Sequence, residues 1–175
     1  MTYTIPQAIA QANRAFFLVQ GGGGLSPQFD HRGMVLRSVC DLEAEFAQLL
    51  IAFFQRRNPS VSQIRAQKEL FSENAMLSSL SRMVRLGGYL GLIDEDESHD
   101  LRIFAKLRNM YAHGRERGQF HLDGAAAALL KQLRLYATSV SVLQGFDDQA
   151  IFLSSYEFLK KQLHERAASV RDNAG

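Results

Sequence analysis

The sequence is short of the features that announce a chemistry by themselves. It has one cysteine, Cys40, in 175 residues. An internal disulfide and a zinc site built on a cysteine cluster are both excluded, and a reducing cytosol is the expected setting. Charge of one sign is also lacking: 20 Lys and Arg against 18 Asp and Glu leave a formal net charge of +2. Bulk charge gives no argument for a nucleic-acid binder, so any such role must rest on a local patch. No apolar run reaches the roughly 20 residues that span a bilayer. The opening Met-Thr-Tyr-Thr-Ile-Pro lacks the basic flank and apolar core of a signal peptide. A cytoplasmic protein without membrane contact is expected.

What is present reads as helix. Hydrophobic residues make up 46% and charged residues 22% of the chain, enough for one domain with a proper core and short for two. No stretch alternates with period two for long. The expected fold is all-α, a single compact multi-helix bundle over 1–175. Residues 5–20 look helical and carry the apolar cluster Phe16-Phe17-Leu18-Val19. Four glycines from Gly21 break the chain, and 21–30 reads as a connector. A phosphate cradle there would need a preceding strand and a following Gly-Lys-Ser/Thr, and neither is present.

The longest helix spans 31–57, with Val35, Leu36, Val39, Leu42, Phe46, Leu49, Leu50 and Phe53 at three- and four-residue spacing. Asp41 and Glu45 lie one turn apart beside that stripe. With no second acidic pair or helical His at ligand spacing, they read as a solvated or interface strip rather than a metal site. Residues 60–71 form a short helix with Val61, Ile64, Leu70 and Phe71 as its apolar members. The next helix is capped by Ser78 or Ser79 and lined by Leu80, Met83, Val84, Leu86 and Leu90. Gly87, Gly88 and Gly91 cost it up to about 1 kcal/mol each, which suits close packing by a neighbour. Past residue 125 two C-terminal helices are expected to reach about 170, one from an Asp123 cap to Leu143 and one after a break at Gly145–Asp148. The second carries Ile151, Phe152, Tyr156, Leu159 and Leu163 inward and Lys160, Lys161, Gln162 and Arg166 outward.

The stretch 94–113 organises the rest. Asp94 can cap it, Glu97 sits at capping-box spacing, and acidic residues crowd its first turn. Gly114 suits the residue that closes a helix. Leu101, Ile103, Phe104, Ala105, Leu107, Met110, Tyr111 and Ala112 fill one broad arc, and Arg102, Lys106, Asn109 and His113 a narrow stripe opposite. Arg108 projects from inside the apolar arc. A guanidinium there needs an acceptor, an interface or a solvent-lined cleft, or it snorkels from the edge.

Arg108, Asn109 and His113 form Arg-Asn-x-x-x-His at a helix end. This spacing resembles the signature of HEPN domains, helical bundles that include many metal-independent RNA endonucleases. Such a reaction needs a base, an acid and a cation for developing negative charge. The resemblance implies proton transfer by His113, charge stabilisation by Arg108 and orientation by Asn109, with Arg102, Lys106, Arg115 and Arg117 as phosphate contacts. Arg108 and His113 project about 140° apart on one helix, so they converge only at a helix end or across the two-fold axis of a homodimer.

A longer resemblance covers 30–125. Its most specific piece runs from Glu73 through Leu77-Ser-Ser-Leu-Ser-Arg-Met-Val-Arg-Leu-Gly-Gly-Tyr-Leu-Gly-Leu-Ile-Asp94 to Leu107-Arg-Asn-Met-Tyr-Ala-His113. In this order the chain resembles the mannitol operon repressor family, compact helical proteins classed as transcriptional regulators. The resemblance implies action through a protein partner. A DNA-reading motif is not expected, because the turn at 92–94 leads into an acidic helix start that repels phosphate. Two functions result: a dimeric regulator read by another protein, and a ribonuclease with a composite site. Neither calls for a metal or cofactor.

Overall fold

The computed structural model describes residues 31–72, 74–113, 124–139 and 148–172. These form seven helices: α1 (His31–Arg57), α2 (Gln63–Phe71), α3 (Leu80–Tyr89), α4 (Glu95–Ala112), α5 (Ala125–Leu130), α6 (Arg134–Ser139) and α7 (Asp148–Asp172). Among the described residues there is no strand, and the fold is the all-α bundle that the periodicity predicts. The expected helix at 5–20, the glycine tract, Asp123 and Gly114 lie outside the described residues.

α1 is the axis, packing against α7, α4, α3 and α2. Its predicted stripe is buried at Val35, Val39, Leu42, Phe46, Leu49 and Leu50, while Leu36 and Phe53 sit at the edge. Ala47, Ile51 and Ala52 are buried as well. The late half of α1 is therefore enclosed on more than one face, which a single stripe does not reveal. Cys40 is exposed. On α2 the inward residue is Ala66, and Ile64, one of its apolar members, is 82% exposed.

α3 begins without a cap from its own serine. Ser79 holds the N-cap backbone geometry but makes no side-chain hydrogen bond. Instead the Leu80 N–H donates to Glu43 Oε1 of α1 at 3.0 Å, a carboxylate at the positive end of the helix. At its other end the Leu92 N–H donates to the Gly87 carbonyl at 2.9 Å and the Gly91 N–H to the Gly88 carbonyl at 3.1 Å. With Gly91 at φ +66°, this is a Schellman closure. The three glycines therefore differ in role. Gly87 is buried, and a Cβ there would run into the Phe46 ring. Gly91 supplies the left-handed turn. Gly88 faces open space, so only the first fits the packing role expected of all three.

The helix expected from Asp123 to Leu143 is divided. α5 starts after Gly124, and the chain turns at Lys131–Leu133 before α6. Asp100 of α4 explains the restart: its Oδ1 accepts from the Arg134 backbone N–H at 3.1 Å and its Oδ2 from Arg134 Nε at 2.8 Å. A buried carboxylate thus caps α6 from outside. α7 buries Ile151, Phe152, Tyr156, Leu159 and Leu163 as expected. The Phe104 and Phe152 rings meet at 5.0 Å in the core between α4 and α7.

Candidate functional site

The capping box predicted for α4 is complete. The Glu97 N–H donates to Asp94 Oδ1 at 2.7 Å, and the Asp94 N–H donates to Glu97 Oε2 at 2.9 Å. Glu97 is only 3% exposed, and such a buried charge needs a counter-charge. Arg166 of α7 provides it at 2.9 Å, while its other terminal nitrogen donates to the Leu92 carbonyl at 3.3 Å. Arg166, expected to point outward, thus clamps α7 to the turn between α3 and α4. Asp100, 4% exposed, is matched by Arg134.

The far end of α4 differs. The arc is buried at Leu101, Ile103, Phe104, Ala105, Leu107 and Tyr111, with Met110 at its edge and Ala112 exposed. Arg102, Lys106, Asn109 and His113 form the expected exposed stripe. Arg108 is half-buried, and no described residue offers it a carboxylate or other hydrogen-bond acceptor. His113 is the C-cap, its backbone N–H donating to the Asn109 carbonyl at 3.2 Å. Arg32, from the start of α1, reaches the Ala112 carbonyl at 3.4 Å, placing a cation at the negative end of α4. Among the described residues, no side-chain bond brings Arg108, Asn109 and His113 together. Arg115 and Arg117 lie outside the described residues.

The acidic strip on α1 is an interface strip. Tyr156 Oη donates to Asp41 Oδ2 at 2.9 Å, Lys160 Nζ donates to Tyr156 Oη at 3.1 Å, and His164 Nδ1 lies 3.3 Å from Glu45. Burial pushes the Tyr156 phenol above its ordinary 10.0; the Lys160 hydrogen bond opposes this and the Asp41 bond adds to it. The hydrogen bond to Tyr156 in turn raises Lys160 above its ordinary 10.5. Through the Tyr156–Asp41 bond the trio joins α7 to α1.

A cleft of about 500 Å³ opens between α1 and α2, lined by Phe54, Arg57, Val61, Arg65 and Leu70 among others. It sits at the C-terminal end of α1, roughly 35 Å along the helix from Arg32 at 1.5 Å per residue, and so apart from the Arg108 region. Among the described residues no group of His, Cys, Asp or Glu is placed to hold a metal ion, and no helix is long and apolar enough to cross a membrane.

Fold and charges together define a helical bundle whose deepest ionic groups tie one helix to another. Compared with protein-family models, curated proteins and solved structures, the chain matches none.

Proposed function

We propose that the chain is a dimeric regulatory protein that modulates transcription through a protein partner, as its resemblance to the mannitol operon repressor family implies. The observation that supports this reading is the divergence of Arg108 from His113. The Arg108 side chain is half-buried while His113 is exposed at the helix end, which it caps through its backbone N–H, so no acid-base pair is assembled between them among the described residues. The buried acids Glu97 and Asp100 are engaged in holding α7 and α6.

One observation favours the second reading, a metal-independent ribonuclease acting across a dimer. Arg108 has no acidic partner among the described residues, which leaves a cation for an incoming phosphate. The test is to incubate purified protein with total RNA in EDTA, beside Arg108→Ala and His113→Ala variants. The regulator reading expects intact RNA from all three and a specific protein retained in a pull-down. Cleavage by the wild type that both variants lose would overturn it.

A further inference from the structure

The cleft between α1 and α2 has a floor and a rim of different character. Phe54, Val61, Ala66 and Leu70 line it with apolar surface, and its volume of about 500 Å³ falls in the range of sites for small organic molecules. At the rim, where α1 ends, acceptors are engaged and donors are left over. The Phe54 carbonyl accepts from the Asn58 N–H at 2.8 Å, and the Asn58 carbonyl from the Val61 N–H at 3.0 Å. The Val61 carbonyl accepts from Gln55 Nε2 at 3.2 Å. Asn58 Oδ1 takes both the Ser60 N–H at 3.2 Å and the Ser60 hydroxyl at 2.6 Å. The backbone donor settles which end of the Asn58 amide is oxygen, so Nδ2 is a donor with no acceptor among the described residues. Arg57 is the second such donor. Its guanidinium lies 5.5 Å from the centre of the Phe53 ring, a contact that holds a cation without neutralising it. No carboxylate pairs with it among the described residues. The other charges lining the cleft, Arg65 and Glu69 of α2, meet at 2.8 Å and offset each other.

We infer that this cleft binds a small organic monoanion, an apolar body carrying one carboxylate. The floor takes the body, and Arg57 with the amide of the adjoining Asn58 takes the carboxylate oxygens, as charge-assisted donors do. With Arg65 and Glu69 offsetting each other, the lining has a single uncommitted positive charge, which suits one anionic group and not a polyanion. A cationic ligand meets Arg57 as a like charge, and a neutral one forgoes the charge-assisted bonds. Arg57 and Asn58 are exposed, so water screens the charge and the floor supplies most of the affinity. The inference goes beyond the proposed function and rests on neither of its readings, so its failure leaves both as they stand.

The experiment is a titration of the isotope-labelled full chain followed by amide NMR, with three probes that share one apolar body: naphthoate, naphthylmethanol and naphthylmethylamine. Naphthoate is expected to bind with a Kd of about 1 mM or tighter, with its shifts concentrated between residues 54 and 70. Naphthylmethanol should bind about fivefold more weakly, and the amine more weakly again. Arg57→Gln should remove the preference for the acid while leaving the affinity for the alcohol unchanged. Asn58→Asp keeps an oxygen for Ser60 and replaces the donor by a carboxylate oxygen. It should weaken naphthoate about tenfold and strengthen the amine, a reversal that a merely structural role of Asn58 would not produce. Val61→Trp, which fills the cleft, should abolish binding of all three probes, with circular dichroism to verify helical content. Naphthoate that does not saturate, shifts centred elsewhere, equal affinity for the three probes, or variants that leave the order of affinities unchanged would each overturn the inference.

Discussion

The two halves of α4 treat charge in opposite ways. In the first half every buried acid has a counterpart from another helix: Glu97 has Arg166, and Asp100 has Arg134. In the second half Arg108 is half-buried without an acidic partner among the described residues, and Lys106, Asn109 and the C-cap His113 face outward. One helix thus has an end whose acids hold the bundle together and an end whose polar side chains are not engaged by the described residues. The difference separates the charged residues that serve the architecture from those that the described residues leave unengaged.

The contrast can be broken most severely at Arg166. Arg166→Met leaves Glu97 buried without its counter-charge, and a loss of about 3 kcal/mol in unfolding free energy is expected from denaturant titration. Adding Glu97→Leu should recover part of that loss, since the stranded charge is then gone. Smaller, and testing the same split between inward and outward positions on α3, is Gly87→Ala. Its Cβ would collide with Phe46, and about 1–3 kcal/mol of stability should disappear. Gly88→Ala, facing open space, should gain up to about 1 kcal/mol. Equal effects at the two glycines would contradict the packing described.

At alkaline pH the α1–α7 seam has its own signature. In the unfolded chain the Tyr156 phenol ionises from its ordinary 10.0, while in the folded protein it keeps its proton to higher pH. The folded state then binds more protons, so stability falls as pH rises above 10. Lys160, raised from 10.5, contributes stability that is complete below that value and is lost as pH climbs through its folded pKa. Tyr156→Phe should flatten the alkaline decline in thermal midpoint. The smallest effects are expected at the open end of α4: Arg108→Ala and His113→Ala should each stay within about 0.5 kcal/mol of wild type. A larger loss at either would move that residue into the architectural half.

Much of this was legible in local pattern. The bounds of α1, the capping box at Asp94 and Glu97, the buried arc of α4 and the inward face of α7 all follow from spacing that a neighbouring turn enforces. What escaped depends on partners far away in sequence. Arg166 is 69 residues from Glu97, and Arg134 is 34 from Asp100. A signal was nevertheless present. Glu97 and Asp100 project from the same apolar arc as Arg108, so the reasoning that singled out one buried charge applies to the other two. Ile64 shows the converse, since an apolar residue on a nine-residue helix has too few turns to define an inward face. The candidate trio was legible as a motif, and whether two copies complete it depends on contacts beyond one chain.

The helix starts supplied by other helices carry a consequence for how the chain assembles. α3 takes its first external hydrogen bond from Glu43 on α1, and α6 takes its own from Asp100 on α4. Neither start can be completed by local sequence, so nucleation of these segments waits on helices already docked. The bundle should accordingly gain its order in one cooperative transition. An excised peptide covering α3 alone should stay largely random in water, however good its periodicity.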